Sequence, residues 1–394
     1  MNFDQFLRFE LERIESAGLR RSLRILESPQ GPEVSCDGRV LANFSSNDYL
    51  GLAAHPKLQE AAREALDEAG SGAGASRLVC GTHSRHQRLE AALSRFKQTE
   101  AALSFSSGYA AALGTIPALV ANGDVVILDK LCHACLVDGA RLSGASIRVF
   151  PHNRIEKLES HLRWAAEKHP AGRVLVLIES VYSMDGDRAP LREIVDLKDR
   201  FAAWLFVDEA HGIGVVGRHG RGLADESGVA SRIEVQMGTL GKALGSSGAY
   251  ICGSDALRDY LINRARSFIF STAPPPHCAA ASCAAVEFLE SKEGGALVGK
   301  LQENISALAH GLRAPAQSAI FPVILGREEL ALEASRTLLE QGFLVPAIRY
   351  PTVARNSARL RITVTAAHAP EMIERLVAAL RCRRSPDRAD DAQR

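Results

Sequence analysis

The stretch Arg173-Val-Leu-Val-Leu-Ile-Glu179 is a nearly continuous run of apolar residues, and Ala203-Trp-Leu-Phe-Val-Asp208 is a second one. Continuous apolar runs of this length are typical of strands that are buried on both faces of a sheet. A helical pattern at residues 191–201 lies between them. Because buried strands joined by helices form parallel sheets that helices cover, the two stretches predict an α/β fold.

The same alternation extends to both sides of these two strands. Short apolar segments predict four more strands, at residues 101–105, 124–129, 146–150 and 234–238, and helical patterns cover residues 109–120 and 155–167. Such a sheet is mostly parallel, and sheets of this kind bind ligands at the carboxyl ends of their strands. We therefore expect the functional residues at the strand ends.

The pattern changes after Ser271-Thr-Ala-Pro-Pro-Pro276. A long helical stretch is followed by apolar segments at residues 320–325, 343–348 and 359–364, and by a helix that begins at Pro370. This order predicts a smaller C-terminal α+β domain. We predict four parts, which are an N-terminal arm at 1–45, a large domain at 46–287, a small domain at 288–382 and a charged, disordered tail at 383–394.

Composition and charge exclude several classes of protein. The 394 residues are 46% hydrophobic, and their formal charge of +1 gives no overall field that would collect nucleic acid or an anionic membrane. The sequence predicts neither a signal peptide nor a membrane-spanning segment. Cysteines such as Cys80, Cys252 and Cys283 lie among apolar or small neighbours, as buried free thiols do. We predict a cytoplasmic protein without nucleic-acid or membrane partners.

A lysine in apolar surroundings is the first candidate for catalysis. Lys242 lies in Met237-Gly-Thr-Leu-Gly-Lys-Ala-Leu-Gly245. Such surroundings favour the uncharged amine, which is a nucleophile able to form a Schiff base with an aldehyde. Upstream, Phe206-Val-Asp-Glu-Ala-His-Gly212 supplies Asp208 at a predicted strand end and then His211. These residues predict a pyridoxal phosphate site, in which Asp208 would keep the pyridine nitrogen protonated and His211 would donate to the phenolic oxygen.

Two further segments could bind the phosphate of the same cofactor. In Ser106-Ser-Gly-Tyr109 the amides of Gly108 and Tyr109 would open a helix, and the N-terminus of a helix binds phosphate well. An ordinary tight turn is the alternative for this segment. Thr239, one helical turn before Lys242, could add a hydroxyl group to the phosphate site.

Two single residues complete the candidate site. His133 would stack its flat ring on the cofactor, although a lone histidine more often has a structural role. Ser183 is the weakest candidate when it is judged alone. Cys132-His-Ala-Cys135 has the spacing of a redox motif, but no second pair of this kind could complete a four-cysteine zinc site. We therefore predict no metal site.

Several segments together resemble the α-oxoamine synthases, which are fold-type-I pyridoxal phosphate enzymes. The resemblance runs in order from roughly residue 20 to residue 380 and rests on Asn43-Phe-Ser-Ser-Asn-Asp-Tyr-Leu-Gly-Leu52, Glu179-Ser-Val-Tyr-Ser-Met-Asp-Gly-Asp187, Val207-Asp-Glu-Ala-His-Gly212, Gly238-Thr-Leu-Gly-Lys242 and Arg359-Leu-Arg-Ile-Thr363. Members of the family condense an amino acid with an acyl thioester and release CO2. The resemblance implies the same fold, cofactor and reaction class for this chain.

The resemblance also implies a role for each matching residue. For the cofactor it places Lys242 at the Schiff base, Asp208 at the pyridine nitrogen, His211 at the phenolic oxygen, His133 over the ring, Ser183 beside it, and Gly108, Tyr109 and Thr239 around the phosphate. For substrate or product it places Arg21, Asn47, His133, Thr352 and Arg361. A guanidinium fork matches two carboxylate oxygens, so Arg361 is the expected carboxylate ligand.

The substrates and partners that the resemblance implies are L-alanine, a pimeloyl thioester carried by coenzyme A or by acyl carrier protein, and a second copy of the chain. In the family the active site is shared between two subunits, so Ser271 or Thr272 would reach the phosphate bound by the partner, and a homodimer is implied. Tyr350-Pro-Thr-Val353 also resembles aminolevulinate synthases. Glycine-using members of the family, which include glycine C-acetyltransferase, therefore stay open as alternatives.

Three other functions are weighed against this prediction. Asp208-Glu-Ala-His211 also spells a helicase motif, but the Gly-Lys pairs at Lys242 and Lys300 lack the Ser or Thr that a P-loop requires. An aminotransferase would use the same lysine and aspartate without consuming a thioester. A binding protein on the same fold would have no need of Lys242.

Overall fold

A computed structural model describes residues 1–382 of the chain. The chain divides into two compact units, one made of residues 1–47 with the segment from residue 303 onward, and the other of residues 48–302. The division falls inside helix Lys292–Leu312 and differs from the predicted domain boundary at residue 288. The tail predicted at 383–394 lies outside the described residues.

The helices are, in chain order, α1 (Phe3–Ser16), α2 (Pro56–Ala69), α3 (Arg77–Cys80), α4 (Ser84–Lys97), α5 (Gly108–Leu119), α6 (Ala134–Ser143), α7 (Ile155–Lys168), α8 (Leu191–Arg200), α9 (Leu223–Glu226), α10 (Asp255–Arg264), α11 (Arg266–Ile269), α12 (Pro276–Glu290), α13 (Lys292–Leu312), α14 (Glu328–Glu340) and α15 (Pro370–Cys382). The strands are β1 (Glu33–Cys36), β2 (Arg39–Asn43), β3 (Ala101–Phe105), β4 (Val125–Asp129), β5 (Ser146–Phe150), β6 (Val174–Glu179), β7 (Trp204–Asp208), β8 (Val235–Thr239), β9 (Ala249–Gly253), β10 (Ile320–Gly326), β11 (Phe343–Leu344), β12 (Ala347–Ile348) and β13 (Ala358–Thr363).

A seven-stranded sheet forms the centre of the unit at 48–302. Its strand order is β3-β9-β8-β7-β6-β4-β5. The strands from β8 to β5 pair in parallel, and β9 is antiparallel to both of its neighbours. The fold class predicted from the sequence, a large mostly parallel sheet with a smaller C-terminal sheet domain, is confirmed.

Helices cover this sheet with apolar side chains. On α5 and α6, Ile116 and Leu136 are completely buried in a cluster that also contains Leu103 and Val126 of the sheet. Helices α7 and α8 contact β4 and β7, and they bury residues such as Leu158. The six predicted strands of this unit are present within one residue at each end, because each is a short, mostly apolar segment between polar turns.

The unit at 1–47 and 303 onward contains two three-stranded sheets, in the orders β1-β2-β11 and β10-β13-β12. Within this unit β2, which belongs to the predicted arm, pairs in parallel with β11 near the other end of the chain. The apolar segment at 343–348 is not one continuous strand. It is two short strands with Pro346 between them, and proline has no N–H for a sheet ladder.

The structure shows where the cysteines lie and whether a helix could span a membrane. Cys252 is buried and free, Cys283 is half-buried, and Cys80 is exposed. The expectation for Cys80 is wrong because the short helix α3 also turns its apolar neighbours Leu78 and Val79 to the surface. Across residues 1–382, no helix is long and apolar enough to cross a membrane.

Candidate active site

The candidate cofactor residues meet at one edge of the seven-stranded sheet. Register pairs Phe105 with Ala249 and Ala249 with Thr239, so β3 and β8 end side by side across β9. Asp208 at the end of β7 pairs with Met237 of β8 and with Glu179 at the end of β6. The segments that follow these ends carry the predicted residues Gly108, Tyr109, Ser183, His211 and Lys242, and the segment after β4 carries His133.

Lys242 lies in a tight loop that follows β8. The loop is closed by hydrogen bonds from the N–H of Leu240 to the carbonyl of Gly248 at 2.9 Å and from the N–H of Gly245 to the carbonyl of Lys242 at 2.9 Å. Gly245 has φ +61°, and a Cβ at this position would collide with the backbone of Leu52. Glycine is therefore required here, and the loop holds the lysine in one place.

Two hydrogen bonds connect this lysine to the protein interior. The Nζ of Lys242 is 2.9 Å from Nε2 of His211, and Nδ1 of His211 is 2.5 Å from the hydroxyl oxygen of Tyr49. Tyr49 is completely buried. The three side chains therefore form one chain of hydrogen bonds, which fixes the imidazole and through it the amine.

Two buried carboxyl groups lie at the ends of β6 and β7. Burial raises the pKa of Asp208 to about 6, although the charge of Lys242 and the N–H of Ala210 oppose the rise. Burial and then the carboxylate of Asp208 raise the pKa of Glu179 to about 8. Near neutral pH the negative charge therefore rests mainly on Asp208.

His133 caps the N-terminus of α6, where Nδ1 accepts the N–H of Cys135 at 3.3 Å. Burial and then the nearby charge of Lys242 lower the pKa of His133. A neutral imidazole close to Lys242 is suited to cover an aromatic ring without adding charge. Burial raises the pKa of Cys132 and of Cys135, so neither thiol has the reactive thiolate of a redox motif.

The predicted phosphate site is built on the start of α5. Ser107 caps this helix through its hydroxyl group, which accepts the N–H of Ala110 at 3.1 Å. The amides of Gly108 and Tyr109 have no acceptor within their helix, because they belong to its first turn. A Cβ added at Gly108 would meet open space, so an anion can approach this backbone.

Thr239 and Ser183 are placed by hydrogen bonds to loops. Thr239 is the last residue of β8 and is not in a helix, so the expectation that it lies one helical turn before Lys242 is wrong. Its hydroxyl oxygen accepts the N–H of Gly241 at 3.2 Å. Ser183 is buried and its N–H donates to Glu179 at 3.0 Å.

Ser271 and Thr272 follow α11 and line a small cavity together with Ser106 and Arg77. Ser106 is the first residue of the segment predicted to bind phosphate. Whether either hydroxyl group serves the partner subunit stays a prediction.

The candidate substrate residues form two hydrogen-bonded pairs in the unit at 1–47 and 303 onward. The buried Arg361 donates through Nη1 to Oδ1 of Asn47 at 3.0 Å. Arg21 donates through Nη2 to the hydroxyl oxygen of Thr352 at 3.3 Å. Arg349 holds the same N-terminal segment by donating through Nη2 to the carbonyl of Arg20 at 2.6 Å. The two members of each pair are more than 300 residues apart in the sequence, and the fold brings them together.

Three site residues were not predicted individually, namely Tyr49, Glu179 and Arg349. Tyr49 and Glu179 lie inside segments that carry the family resemblance, so the signal was present but was not assigned to them. Arg349 directly precedes Tyr350 in the loop that carries Thr352. Among the residues that the structure describes, no cluster of histidine, cysteine and carboxylate side chains could hold a metal ion.

Comparison with known proteins identifies the class. The family model for class I and II aminotransferases matches residues 39–380. The chain belongs to this family and, within it, to the α-oxoamine synthases.

Individual relatives narrow the comparison. The chain is 48% identical to an 8-amino-7-oxononanoate synthase of Geobacter sulfurreducens over 377 residues, which are 94% of this chain and 96% of the relative. It resembles a serine palmitoyltransferase of S. paucimobilis, solved with PLP and myriocin bound, with a TM-score of 0.89, 30% identity and coverage of 95% and 96%. An 8-amino-7-oxononanoate synthase from Francisella tularensis gives a TM-score of 0.72 at 27% identity, with coverage of 87% and 98%.

Proposed function

We propose that this chain is a pyridoxal phosphate-dependent 8-amino-7-oxononanoate synthase that acts in biotin biosynthesis. It would condense L-alanine with a pimeloyl thioester carried by coenzyme A or acyl carrier protein. Cα of alanine loses its proton and forms a carbon–carbon bond with the acyl carbon, while the C–S bond of the thioester breaks and the thiol leaves. The bond between Cα and the carboxylate then breaks, CO2 leaves, and Cα takes up a proton. The observation that carries the proposal is the chain of hydrogen bonds from Tyr49 through His211 to Lys242, beside the buried Asp208.

The residues at the sheet edge fit the proposed cofactor in their chemistry. The amine of Lys242 can react with an aldehyde, and the buried carboxylate of Asp208 can bind a pyridine nitrogen. The N-terminus of α5, with open space at Gly108, can bind a phosphate. When bound, pyridoxal phosphate supplies an aldehyde and an electron-withdrawing ring that stabilises negative charge at Cα. Lys242, Asp208 and the amide of Tyr109 would hold its three ends.

The remaining steps are assigned to side chains of this chain. The amine of Lys242 would take the Cα proton as a general base and return a proton to Cα after CO2 is lost. Asp208 would keep the ring nitrogen protonated, because a negative carboxylate beside the nitrogen favours the positively charged, protonated form of the ring. His211 would donate a hydrogen bond to the phenolic oxygen of the cofactor from Nε2, the atom that lies near Lys242 in this structure. Tyr49 would keep the imidazole ring of His211 oriented. His133 would cover the ring.

Substrate recognition is proposed for the arginines of the other unit. Arg361 would bind the carboxylate of alanine with its guanidinium fork, and Asn47 would orient that fork. The far carboxylate of the pimeloyl group needs a cation, and Arg21 with Thr352 is the proposed site. We propose a homodimer with shared active sites, in which Ser271 or Thr272 serves the phosphate of the partner.

The cytoplasm is the proposed location. Buried free thiols such as Cys132 and Cys252 support a reducing compartment.

Product analysis with paired substrates tests the proposal. The purified chain, loaded with pyridoxal phosphate, is offered L-alanine with pimeloyl-CoA, glycine with acetyl-CoA or succinyl-CoA, and L-alanine with a keto acid. Thiol release and product mass are followed for each pair. We expect the highest kcat/KM for alanine with pimeloyl-CoA, and roughly 10- to 200-fold lower values when glycine replaces alanine, since one methyl group discriminates by that much. A preference for glycine with succinyl-CoA would make this an aminolevulinate synthase, and amino transfer without a thioester would make it an aminotransferase.

A further inference from the structure

The proposed reaction uses one carboxylate at the sheet edge, but a second carboxyl group lies beside it. Glu179 ends β6 and pairs in register with Asp208 at the end of β7. Only 2% of Glu179 is exposed. Burial of a carboxyl group is unfavourable unless it is neutralised or hydrogen-bonded, so its presence here needs a reason.

The contacts of Glu179 reach two loops from different strands. Its Oε2 accepts the N–H of Ser183 at 3.0 Å, in the loop after β6. The backbone N–H of His133, in the loop after β4, also acts on this carboxyl group and favours its ionised form. Its other oxygen, Oε1, is buried and has no hydrogen-bond partner within residues 1–382. One side chain therefore contacts the backbone of both proposed neighbours of the cofactor ring.

Charged and titratable groups face Glu179 from the surrounding elements, and they are Asp208 on β7, Lys242 after β8, Cys132 before α6, Cys135 on α6 and Tyr182 after β6. Burial raises the pKa of both cysteines and of Tyr182, so these three are neutral. Burial and then Asp208 raise the pKa of Glu179 to about 8. Near neutral pH, Glu179 therefore carries a proton and adds no second negative charge beside Asp208.

We propose that Glu179 is a positioning residue whose carboxyl group holds the backbone of His133 and of Ser183 in place beside Asp208. This inference rests on the proposed function, because it assigns a purpose to those two residues. A neutral carboxyl group offers an O–H donor and an acceptor oxygen without charge, and the amide of glutamine likewise offers N–H donors and an acceptor oxygen without charge. Glutamine therefore reproduces the neutral acid, leucine removes both polar atoms, and ionisation above neutral pH places two negative charges side by side.

The test uses the full chain with the variants E179Q and E179L. E234Q is the matched control, because Glu234 is a carboxylate of the same sheet, just before β8, and it accepts from Nζ of Lys198 at 2.6 Å and from the N–H of Leu205 at 2.8 Å. The first measurement is amide hydrogen exchange of the peptides 130–137 and 180–187 without cofactor. We expect E179L to exchange about tenfold faster in both peptides, as loss of a buried hydrogen bond predicts, and E179Q and E234Q to match the wild type there.

The second measurement is the affinity for pyridoxal phosphate, read from its absorbance as pH rises. In the wild type the affinity should fall as Glu179 ionises near pH 8, and in E179Q this fall should be absent. The inference is overturned if E179L leaves both peptides protected, or if E179Q keeps the alkaline fall. Failure of the wild type to bind pyridoxal phosphate at any pH would overturn the proposed function instead, and the exchange data would still decide the role of Glu179.

Discussion

His152 offers the strongest test of the energetics of this fold. Its Nδ1 lies 3.0 Å from Oδ1 of Asp129, and its Nε2 lies 2.7 Å from Oδ2 of Asp187. Asp129 ends β4 and Asp187 lies in the loop after β6, so one imidazole connects three loops at the edge of the sheet. We predict that His152→Gln destabilises the protein, because glutamine cannot carry the positive charge that both carboxylates face.

The size of the effect follows from the pKa of His152. Burial alone would lower this pKa, but the hydrogen bonds and charges of Asp129 and Asp187 outweigh it and raise the pKa to about 10. A rise from 6.5 to about 10 corresponds to at most roughly 5 kcal/mol in the free energy of unfolding. Since 24% of the side chain is exposed, solvent screens part of it, and we expect roughly 2 to 3 kcal/mol. For a unit of this size that is about 4 to 12 °C in Tm.

The sign of the pH dependence gives the second half of the test. A histidine with a raised pKa contributes fully below its unfolded value of 6.5, and the contribution is lost as pH rises through about 10. The Tm difference between wild type and His152→Gln should therefore be large at pH 6.5, be largest below that pH, and nearly vanish at pH 10. His161→Gln is the control, since His161 lies on α7 and its Nε2 hydrogen-bonds to a backbone carbonyl, that of Val149, at 3.3 Å. An equal Tm difference at both pH values would refute the reasoning.

The remaining predictions concern the proposed chemistry. Lys242→Ala should fold, bind pyridoxal phosphate more weakly and lose roughly 100- to 10,000-fold or more in turnover, which an assay of thiol release would show; turnover within tenfold of wild type would contradict its role. Asp208→Asn should still bind the cofactor but exchange the Cα proton of L-alanine with D2O far more slowly, as followed by NMR; a normal exchange rate would exclude Asp208 as the partner of the ring nitrogen. Arg21→Ala should raise KM for pimeloyl-CoA more than KM for alanine. Arg349→Ala should have the same effect, because it removes the hydrogen bonds that hold the segment before Arg21. Equal effects on both KM values would argue against a carboxylate site at Arg21.

Most of the large sheet could be predicted from the sequence, because central strands such as β6 and β7 are apolar on both faces. The sequence did not reveal β9, since no helix separates β9 from β8 and the alternation of strand and helix therefore gives no signal for it. It also joined β11 to β12, because Pro346 sits in a segment that is otherwise strand-like. The pairing of β2 with β11 joins residues near opposite ends of the chain, and no local pattern contains that information.

The candidate site shows the same limit in its side chains. Lys242, Asp208 and His211 could be predicted, because unusual residue types follow apolar runs within short segments. Tyr49 could not, because a tyrosine among apolar residues is typical of a protein core, and its hydrogen bond to His211 spans 162 positions. Glu179 follows an apolar strand as Asp208 does, but only the register between β6 and β7 shows that the two carboxyl groups are neighbours.

The distribution of charge separates the two tasks that the proposed reaction requires. At the sheet edge the charge of Lys242 is opposed by the carboxylate of Asp208. His133 has a lowered pKa and adds no second positive charge. A phosphate that binds there would therefore be held mainly by backbone amides. The guanidinium groups of Arg21, Arg349 and Arg361 all belong to the other unit. A change at the sheet edge should therefore alter the capture and reactivity of the cofactor, whereas a change among the arginines should alter which carboxylates the enzyme accepts. On this reasoning, a change of the arginines can change the substrate while Lys242 and Asp208 stay the same, because recognition depends on a separate set of side chains.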